Sequence, residues 1–163
     1  MNSFELKFQN LSDEEILNTV AGLSDLVEDD YYATPLIAAI SLDRVSLVRA
    51  MLERGVTPNQ KTFLASSLGG AISSTHLNCN QILQLLLDRI GVIKEEDPFD
   101  FCGDLNEPML HAAVRLRKLD AVCILLKHGV NPDWMDTDGV SALALAKECD
   151  FDEIYDVLKK GRC

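Results

Sequence analysis

The sequence lacks a long apolar run, a signal-peptide pattern and an excess of positive charge. Its longest apolar run, residues 121–126, has six residues, whereas a membrane-spanning helix needs roughly 20. The first 20 residues contain four acidic side chains and no apolar stretch of signal-peptide length. Lys and Arg number 15 against 26 Asp and Glu, a net charge of −11, whereas proteins that bind nucleic acid cluster positive charge. We therefore expect a cytoplasmic protein with no membrane and no nucleic-acid partner.

Paired cysteines and catalytic motifs are also missing. The five cysteines are widely spaced and contain no C-x-x-C pair, so we expect free thiols in a reducing compartment. No Ser or Cys nucleophile has a His base in a recognisable motif, and no glycine-rich phosphate loop follows a strand. The acidic residues around Gly139 do not fit a calcium loop, because Trp134 and Leu145 stand where oxygen ligands are required. We expect no enzymatic activity, no metal and no cofactor.

The sequence does contain internal repeats. Residues 52–59 (LERGVTPN) and 126–133 (LKHGVNPD) are near copies, 74 residues apart. A quartet of apolar residues at positions i, i+1, i+4 and i+5 leads into each copy and recurs elsewhere. Its occurrences are Leu47, Val48, Met51, Leu52; Ile82, Leu83, Leu86, Leu87; Ala121, Val122, Leu125, Leu126; and Ile154, Tyr155, Leu158. The steps of 35, 39 and 33 residues are typical of helix-pair units stacked in a solenoid, which binds partners along an extended surface.

Each unit also carries helix-start and helix-stop residues. TPL stands at residues 34–36, LHAA at 110–113 and DTDGVSAL at 136–143, and Gly55 and Gly129 follow the second helices, where a left-handed glycine closes a helix. This combination resembles the ankyrin repeat family over residues 34–160. The resemblance implies an all-α solenoid of helix-turn-helix units in one continuous domain. Its four repeats are expected at about residues 34–66, 67–107, 108–140 and 141–163.

Two segments depart from the repeat pattern. Residues 1–33 are acidic and are expected to cap the solenoid, with a helix over 11–20 that begins with an S-x-x-E capping box of Ser12 and Glu15. The second unit reads SLGGAIS at residues 67–73 instead of T-P-L-H-x-A-A, and two glycines inside a helix are unfavourable, so we predict a short or frayed first helix. Residues 91–107 predict an enlarged acidic loop, either functional or disordered.

The resemblance also implies where a partner binds and what one histidine does. His111 stands at the family's T-P-L-H position and is expected to form a structural hydrogen bond between neighbouring turns. Ankyrin repeats bind through the tips of the hairpins that join the units and through the exposed side of each first helix. Carried over by position, the candidate residues are Asp30, Tyr31, Tyr32 and Leu42; Phe63 and Leu64; Asp104, Leu105, Glu107, Arg115 and Leu116; and Trp134, Asp138 and Glu148.

Aromatic side chains within an acidic rim favour a protein partner with a basic surface. For Phe63 and Trp134 the alternative is that each packs against its own hairpin. Three functions stay open. A small binder with no appended domain acts by occupying its partner's surface, which favours an inhibitor or immunity-type neutraliser. The alternatives are an adaptor or scaffold and a host-directed bacterial effector. We expect the chain to be a monomer.

Overall fold

The computed structural model describes the backbone of residues 3–20, 35–56, 63–91, 101–102 and 107–161. In these ranges, ten helices and two short strands follow one another. They are α1 (Ser3–Phe8), α2 (Asp13–Val20), α3 (Pro35–Ser41), α4 (Val45–Glu53), α5 (Phe63–Ser73), α6 (Cys79–Ile90), β1 (Phe101–Cys102), β2 (Glu107–Pro108), α7 (Met109–Arg115), α8 (Leu119–Lys127), α9 (Ala142–Glu148) and α10 (Asp152–Lys160).

The helices stack in two layers. The first helices α1, α3, α5, α7 and α9 contact one another in series, and the second helices α2, α4, α6, α8 and α10 do the same. Within the pairs from α3/α4 to α9/α10, the first helix also packs on the second. Contacts between successive neighbours define a solenoid, so the prediction of an all-α solenoid is confirmed.

The N-terminal segment repeats the same arrangement. Helix α2 lies within the segment that was predicted to cap the solenoid, and its capping box is formed: the Ser12 amide donates to Glu15 Oε2 at 2.8 Å and the Glu15 amide to Ser12 Oγ at 3.3 Å. The Ser12 hydroxyl also holds the pKa of Glu15 below its usual value. Helix α1 was not predicted. Because α1 packs on α3 and α2 on α4, the described array contains five helix pairs.

The apolar quartets form the core between the two layers. Their side chains are buried along α4 and α6, and so are Ala121, Val122 and Leu125 in α8. Residues spaced at i, i+1, i+4 and i+5 share one face of a helix, so a single stripe from each second helix faces the core. Leu126 and Tyr155 are only partly buried. The periodicity therefore predicted the core-facing side of the second helices.

Two of the helix-stop glycines form the same C-terminal motif. Gly55 has φ +90° and Gly129 has φ +83°. The amide after each glycine reaches back five residues, Val56 to Met51 O at 3.0 Å and Val130 to Leu125 O at 3.2 Å. This is the Schellman arrangement, which needs a left-handed residue before the donor. The two near-copy sequences therefore end their helices, α4 and α8, with the same backbone conformation.

The first helix of the second unit contradicts the sequence-based prediction. Helix α5 has 11 residues, so the prediction of a short first helix is wrong, and it begins four residues before the predicted boundary at residue 67. Leu68 and Ile72 are fully buried, and α5 packs against α3, α6 and α7. Burying two such side chains is worth about 3 kcal/mol or more, which exceeds the cost of Gly69 and Gly70 in the helix.

The predicted enlarged loop at residues 91–107 contains a short hairpin. Strands β1 and β2 pair in antiparallel fashion, with Phe101 opposite Pro108 and Cys102 opposite Glu107. Strand β1 also contacts α5 and α7. The rest of the loop, residues 92–100 and 103–106, lies outside the described residues.

Candidate functional site

The segment between α8 and α9, residues 131–141, folds as a compact hairpin that we call the finger. Met135 and Ser141 form an antiparallel bridge, and the Asp136 amide donates to Val140 O at 2.9 Å. Gly139 closes the turn with φ +76° and donates its amide to Asp136 O at 3.0 Å. The D-T-D-G sequence therefore provides the turn that projects the finger from the array.

Two side chains fix the shape of the finger. Asp136 Oδ1 accepts from the amides of Val140 at 2.9 Å and Asp138 at 3.0 Å, and these bonds, chiefly that from Val140, hold the pKa of Asp136 below its usual range. His111 Nε2 lies 2.8 Å from Val140 O. Because a carbonyl oxygen only accepts, Nε2 carries the proton and donates. The structural role implied for the buried His111 is confirmed, and Asp136 acts as a turn residue.

The finger presents a mixed apolar and acidic surface. Met135 is 66% exposed, whereas Trp134 packs partly against the core. The side chains of Asp133 and Asp138 are exposed on either side of this pair. Sequence analysis named Trp134 and Asp138 but missed Met135. Successive residues of an extended segment point to opposite faces, so the alternative that Trp134 packs against its own hairpin already implied that its neighbour Met135 faces solvent.

Two of the predicted binding residues, Glu107 and Arg115, pair with each other. Glu107 in β2 is buried, and its Oε1 lies 2.9 Å from Arg115 Nε and 2.7 Å from Arg115 Nη2. This carboxylate raises the pKa of Arg115. The prediction that Glu107 contributes to an exposed acidic rim is therefore wrong. Arg115 stays exposed and is ion-paired with Glu107.

Three further described candidates lie at the ends of the first helices that are opposite the finger. Leu42, Leu116 and Glu148 stand at the C-terminal ends of first helices, whereas the finger leads into the N-terminal end of α9. A helix of seven residues is about 10 Å long, so the structure does not bring these residues together with Trp134 and Asp138. Phe63 and Leu64 begin α5 and do not form a hairpin tip. Predicted residues Asp30, Tyr31, Tyr32, Asp104 and Leu105 lie outside the described residues.

The thiols differ from the prediction. Cys79 and Cys149 are free, but Cys123 in α8 is disulfide-bonded. The expectation of five free thiols is therefore wrong, and the inference from free thiols to a reducing compartment loses its support.

Within the ranges that the structure describes, no His, Cys, Asp and Glu side chains gather in threes to hold a metal ion. In the same ranges, no helix has the length and apolar character that a membrane span requires.

Comparison with known proteins identifies the repeat directly. A family model described as "Ankyrin repeat" matches residues 108–137, which include α7, α8 and the first half of the finger. The putative ankyrin repeat protein FPV031 of fowlpox virus (strain NVSL) is 27% identical over 125 residues, 77% of this chain and 35% of the viral protein. Palmitoyltransferase ZDHHC13 of Homo sapiens and of Pongo abelii is 46% identical over 44 residues, 27% of this chain and 7% of each enzyme. The chain thus spans about a third of the viral relative.

Proposed function

We propose, from the premise that the chain is an ankyrin repeat protein, that it binds a partner protein through the finger and the surface next to it. Ankyrin repeats mediate protein–protein interaction, and proteins of this family are typically non-catalytic binding modules. The observation that carries the proposal is the exposed Met135 on a hairpin that His111 and Asp136 hold in one conformation. One exposed apolar side chain is ordinary on a protein surface, and it is the fixed conformation of the hairpin that carries Met135 that suits it to binding.

The fixed conformation of the finger supports tight binding. Ordering a mobile loop on association costs free energy, and a hairpin that is already ordered avoids that cost. Methionine adapts to the shape of an apolar pocket, and a neighbouring tryptophan is the residue type most enriched among energetically dominant contacts. Met135 is the proposed anchor, and the half-buried Trp134 supports it from below.

The charge around the finger favours a partner with a basic surface. Asp133 and Asp138 flank Met135 and are exposed, and the chain as a whole has a net charge of −11. The nearby guanidinium of Arg115 is paired with Glu107. Opposite charges across an interface act mainly on the association rate, and salt screens them.

A chain bound through the finger covers part of its partner's surface. We therefore favour an inhibitor or immunity-type neutraliser. An adaptor is the second candidate. The comparisons favour it, because each relative carries the matching segment as part of a much longer protein. The activity of the partner in the complex separates the two, since an inhibitor abolishes it and an adaptor leaves it intact.

Binding kinetics test the proposed surface. The partner is first captured from an extract of the source organism with the wild-type chain and identified by mass spectrometry. Surface plasmon resonance then compares Met135→Ser and Asp138→Lys with the wild type. Met135→Ser removes the proposed anchor. It is expected to raise the dissociation rate at least about tenfold, the size of effect seen when an energetically dominant interface residue is truncated.

Charge reversal at Asp138 is expected to slow association, and so is an increase in salt from about 50 to 500 mM, which shortens the Debye length from about 14 to 4 Å. The matched control is Glu53→Lys, which reverses an exposed charge at the end of α4 and should leave both rates unchanged. Wild-type kinetics for Met135→Ser and Asp138→Lys would exclude the finger as the binding site.

A further inference from the structure

Cys123, in the middle of α8, is joined to another cysteine by a disulfide bond. The chain has five cysteines, of which Cys79 and Cys149 are free thiols. The bond therefore leads either to Cys102 or to Cys163. Cys102 belongs to strand β1, but its side chain, like the whole of Cys163, lies outside the described residues. The side of α8 on which Cys123 stands distinguishes between the two.

Cys123 lies on the outer side of α8, away from the layer of first helices. Because an α-helix turns by about 100° per residue, Cys123 points about 150° away from the middle of the core-facing stripe of α8. Strand β1, which contains Cys102, contacts α5 and α7 in the layer of first helices. A disulfide needs its two Cα atoms within about 7 Å of each other, whereas the core and α8 itself separate Cys123 from that layer. The position of Cys123 therefore disfavours Cys102.

The side of α8 that carries Cys123 is turned towards α10. On the opposite side, Asp120 Oδ2 accepts from Asn80 of α6 at 3.1 Å. His128 Nε2 lies 2.7 Å from Gln84 Nε2 of the same helix. These two contacts lie on average about 100° around α8 from Cys123. Helix α10 packs on α8 as its other neighbour, so it is the element that stands next to Cys123.

The end of α10 is close enough for a bond to Cys123. Helices α8 and α10 hold equivalent places in successive pairs and have nine residues each. With parallel axes about 9 Å apart, Gly161 at the end of α10 lies about 12 Å from Cys123. Two further residues extend a chain by up to about 7 Å, and a disulfide spans up to about 7 Å between Cα atoms. Cys163 is two residues beyond Gly161 and is therefore within reach.

We propose that Cys123 and Cys163 form a redox-controlled clamp on the last helix pair, α9/α10. The bond closes a loop, residues 123–163, that contains the finger, α9 and α10. Among the described pairs this one is the last, and α7 and α8 pack against it from one side. A pair at the end of a solenoid opens more readily than an inner pair. A covalent bond from the end of α10 to α8 restricts the opened states and so keeps the pair on the array.

A dithiol reductant opens the clamp in two exchange steps. Its first thiolate attacks one sulfur of the disulfide, which breaks the S–S bond, forms a mixed disulfide and releases the other cysteine as a thiolate that takes up a proton. Its second thiolate displaces the cysteine that is still bound. The protein gains two electrons and two protons as two thiols, and the dithiol becomes a disulfide. Cys123 is partly exposed, so the reductant has access to it from the outer side.

Opening the clamp also loosens the finger. Ser141 ends the finger, where it forms the bridge with Met135, and it begins α9 by accepting from the Ala144 amide at 3.2 Å. When α9 and α10 leave the array, this bridge loses its support. The fluorescence of Trp134, which lies next to Met135, should therefore respond to reduction of the disulfide.

Peptide mapping tests the linkage and needs no partner protein. The chain is equilibrated with oxidised or reduced glutathione, unfolded while its free thiols are alkylated, digested without reductant and analysed by mass spectrometry. In the oxidised sample we expect a cross-linked peptide pair that holds Cys123 and Cys163, with Cys79, Cys102 and Cys149 alkylated. A bond between Cys102 and Cys123, or five alkylated cysteines in the oxidised sample, would overturn the proposal.

Amide exchange with and without dithiothreitol tests the clamp itself. Reduction of the wild type should speed exchange in α9 and α10 at least about tenfold and leave α4 unchanged. Cys163→Ser should show the faster rates in both buffers. The matched control is Cys149→Ser, which removes an exposed free thiol at the end of α9 and should respond as the wild type does. Exchange in α9 and α10 that does not change on reduction, or a Cys163→Ser variant that still responds to dithiothreitol, would show that no such clamp exists.

Discussion

At the scale of single residues, the helix-stop glycines are required for their backbone conformation and not for lack of space. A Cβ atom added to Gly55 would meet nothing within 4 Å, yet φ is +90° there. A β-branched residue in this region is strained, so Gly55→Val should destabilise the fold by about 1–2 kcal/mol, and Gly129→Val, at φ +83°, should behave alike. Urea unfolding measures both.

Gly70 provides the opposite control. It lies inside α5, and a Cβ there would meet Ile40 Cγ2 at 3.8 Å, an ordinary contact. Gly70→Ala should therefore stabilise the chain by about 0.5–1 kcal/mol, because alanine is the better helix former. If the urea midpoint of Gly55→Val equals that of the wild type, the end of α4 does not depend on a left-handed residue at position 55.

Acid should loosen the finger through Asp136. Its pKa is lowered in the folded chain, chiefly by the Val140 amide, from an unfolded value near 3.9. The ionised carboxylate therefore stabilises the finger above about pH 4, and this contribution is lost as the pH falls through the lowered folded value. Trp134 is the one tryptophan of the chain and reports on the finger by fluorescence.

Asp136→Asn separates titration from hydrogen bonding. Its amide oxygen can still accept from the two amides, but it does not titrate in this range. The Trp134 emission of the wild type should change between about pH 4 and the lowest pH of the titration. This change should be smaller in Asp136→Asn. Superimposable pH profiles for the two proteins would mean that Asp136 does not control the finger.

At the scale of helices, Arg44 and Arg54 of the α3/α4 pair hold the N-terminal pair. Arg44 donates to Phe8 O at 3.0 Å and Leu11 O at 2.9 Å, and Arg54 donates to Leu17 O at 3.0 Å. Arg44 thus binds carbonyls at the C-terminal end of α1, where a positive charge is favourable. The pair depends on these bonds because α1 has only six residues and is too short to be stable alone.

Arg44→Ala should release the N-terminal pair. Charged hydrogen bonds are worth about 1.5–3 kcal/mol each, so amide exchange in α1 and α2 should become roughly tenfold faster or more. Exchange in α8, far along the array, should not change. Arg49→Ala removes the exposed arginine of α4, five residues after Arg44, and is the matched control. Equal exchange of α1 in the two variants would show that Arg44 does not anchor the pair.

At the scale of the whole molecule, the features that could be predicted from sequence are those that neighbouring residues decide. The apolar quartets define one face of a helix regardless of what covers it. The glycine stops and the Ser12–Glu15 box depend on backbone geometry within one turn. His111 followed from the resemblance of a short motif, and the Val140 carbonyl that it contacts confirms it.

The features that were missed depend on residues distant in the chain or on exposure. Helix α1 has no T-P-L motif, and it is ordered by the burial of Phe8 and by Arg44 from another pair. Helix α5 is long because its neighbours bury Leu68 and Ile72. Glu107 looked like a rim residue until Arg115, eight positions away, was found against it.

The central claim is that a partner protein binds at the finger, and amide exchange of the chain with and without that partner tests it most directly. Burial of Met135 and the surrounding backbone should slow exchange over residues 131–141 and at the start of α9, with no change in the second helices α4 and α6. The same partner added to Met135→Ser at equal concentration should protect the finger less. Unchanged exchange over residues 131–141, with protection confined to the second helices, would contradict the claim and place the binding surface on the outer layer.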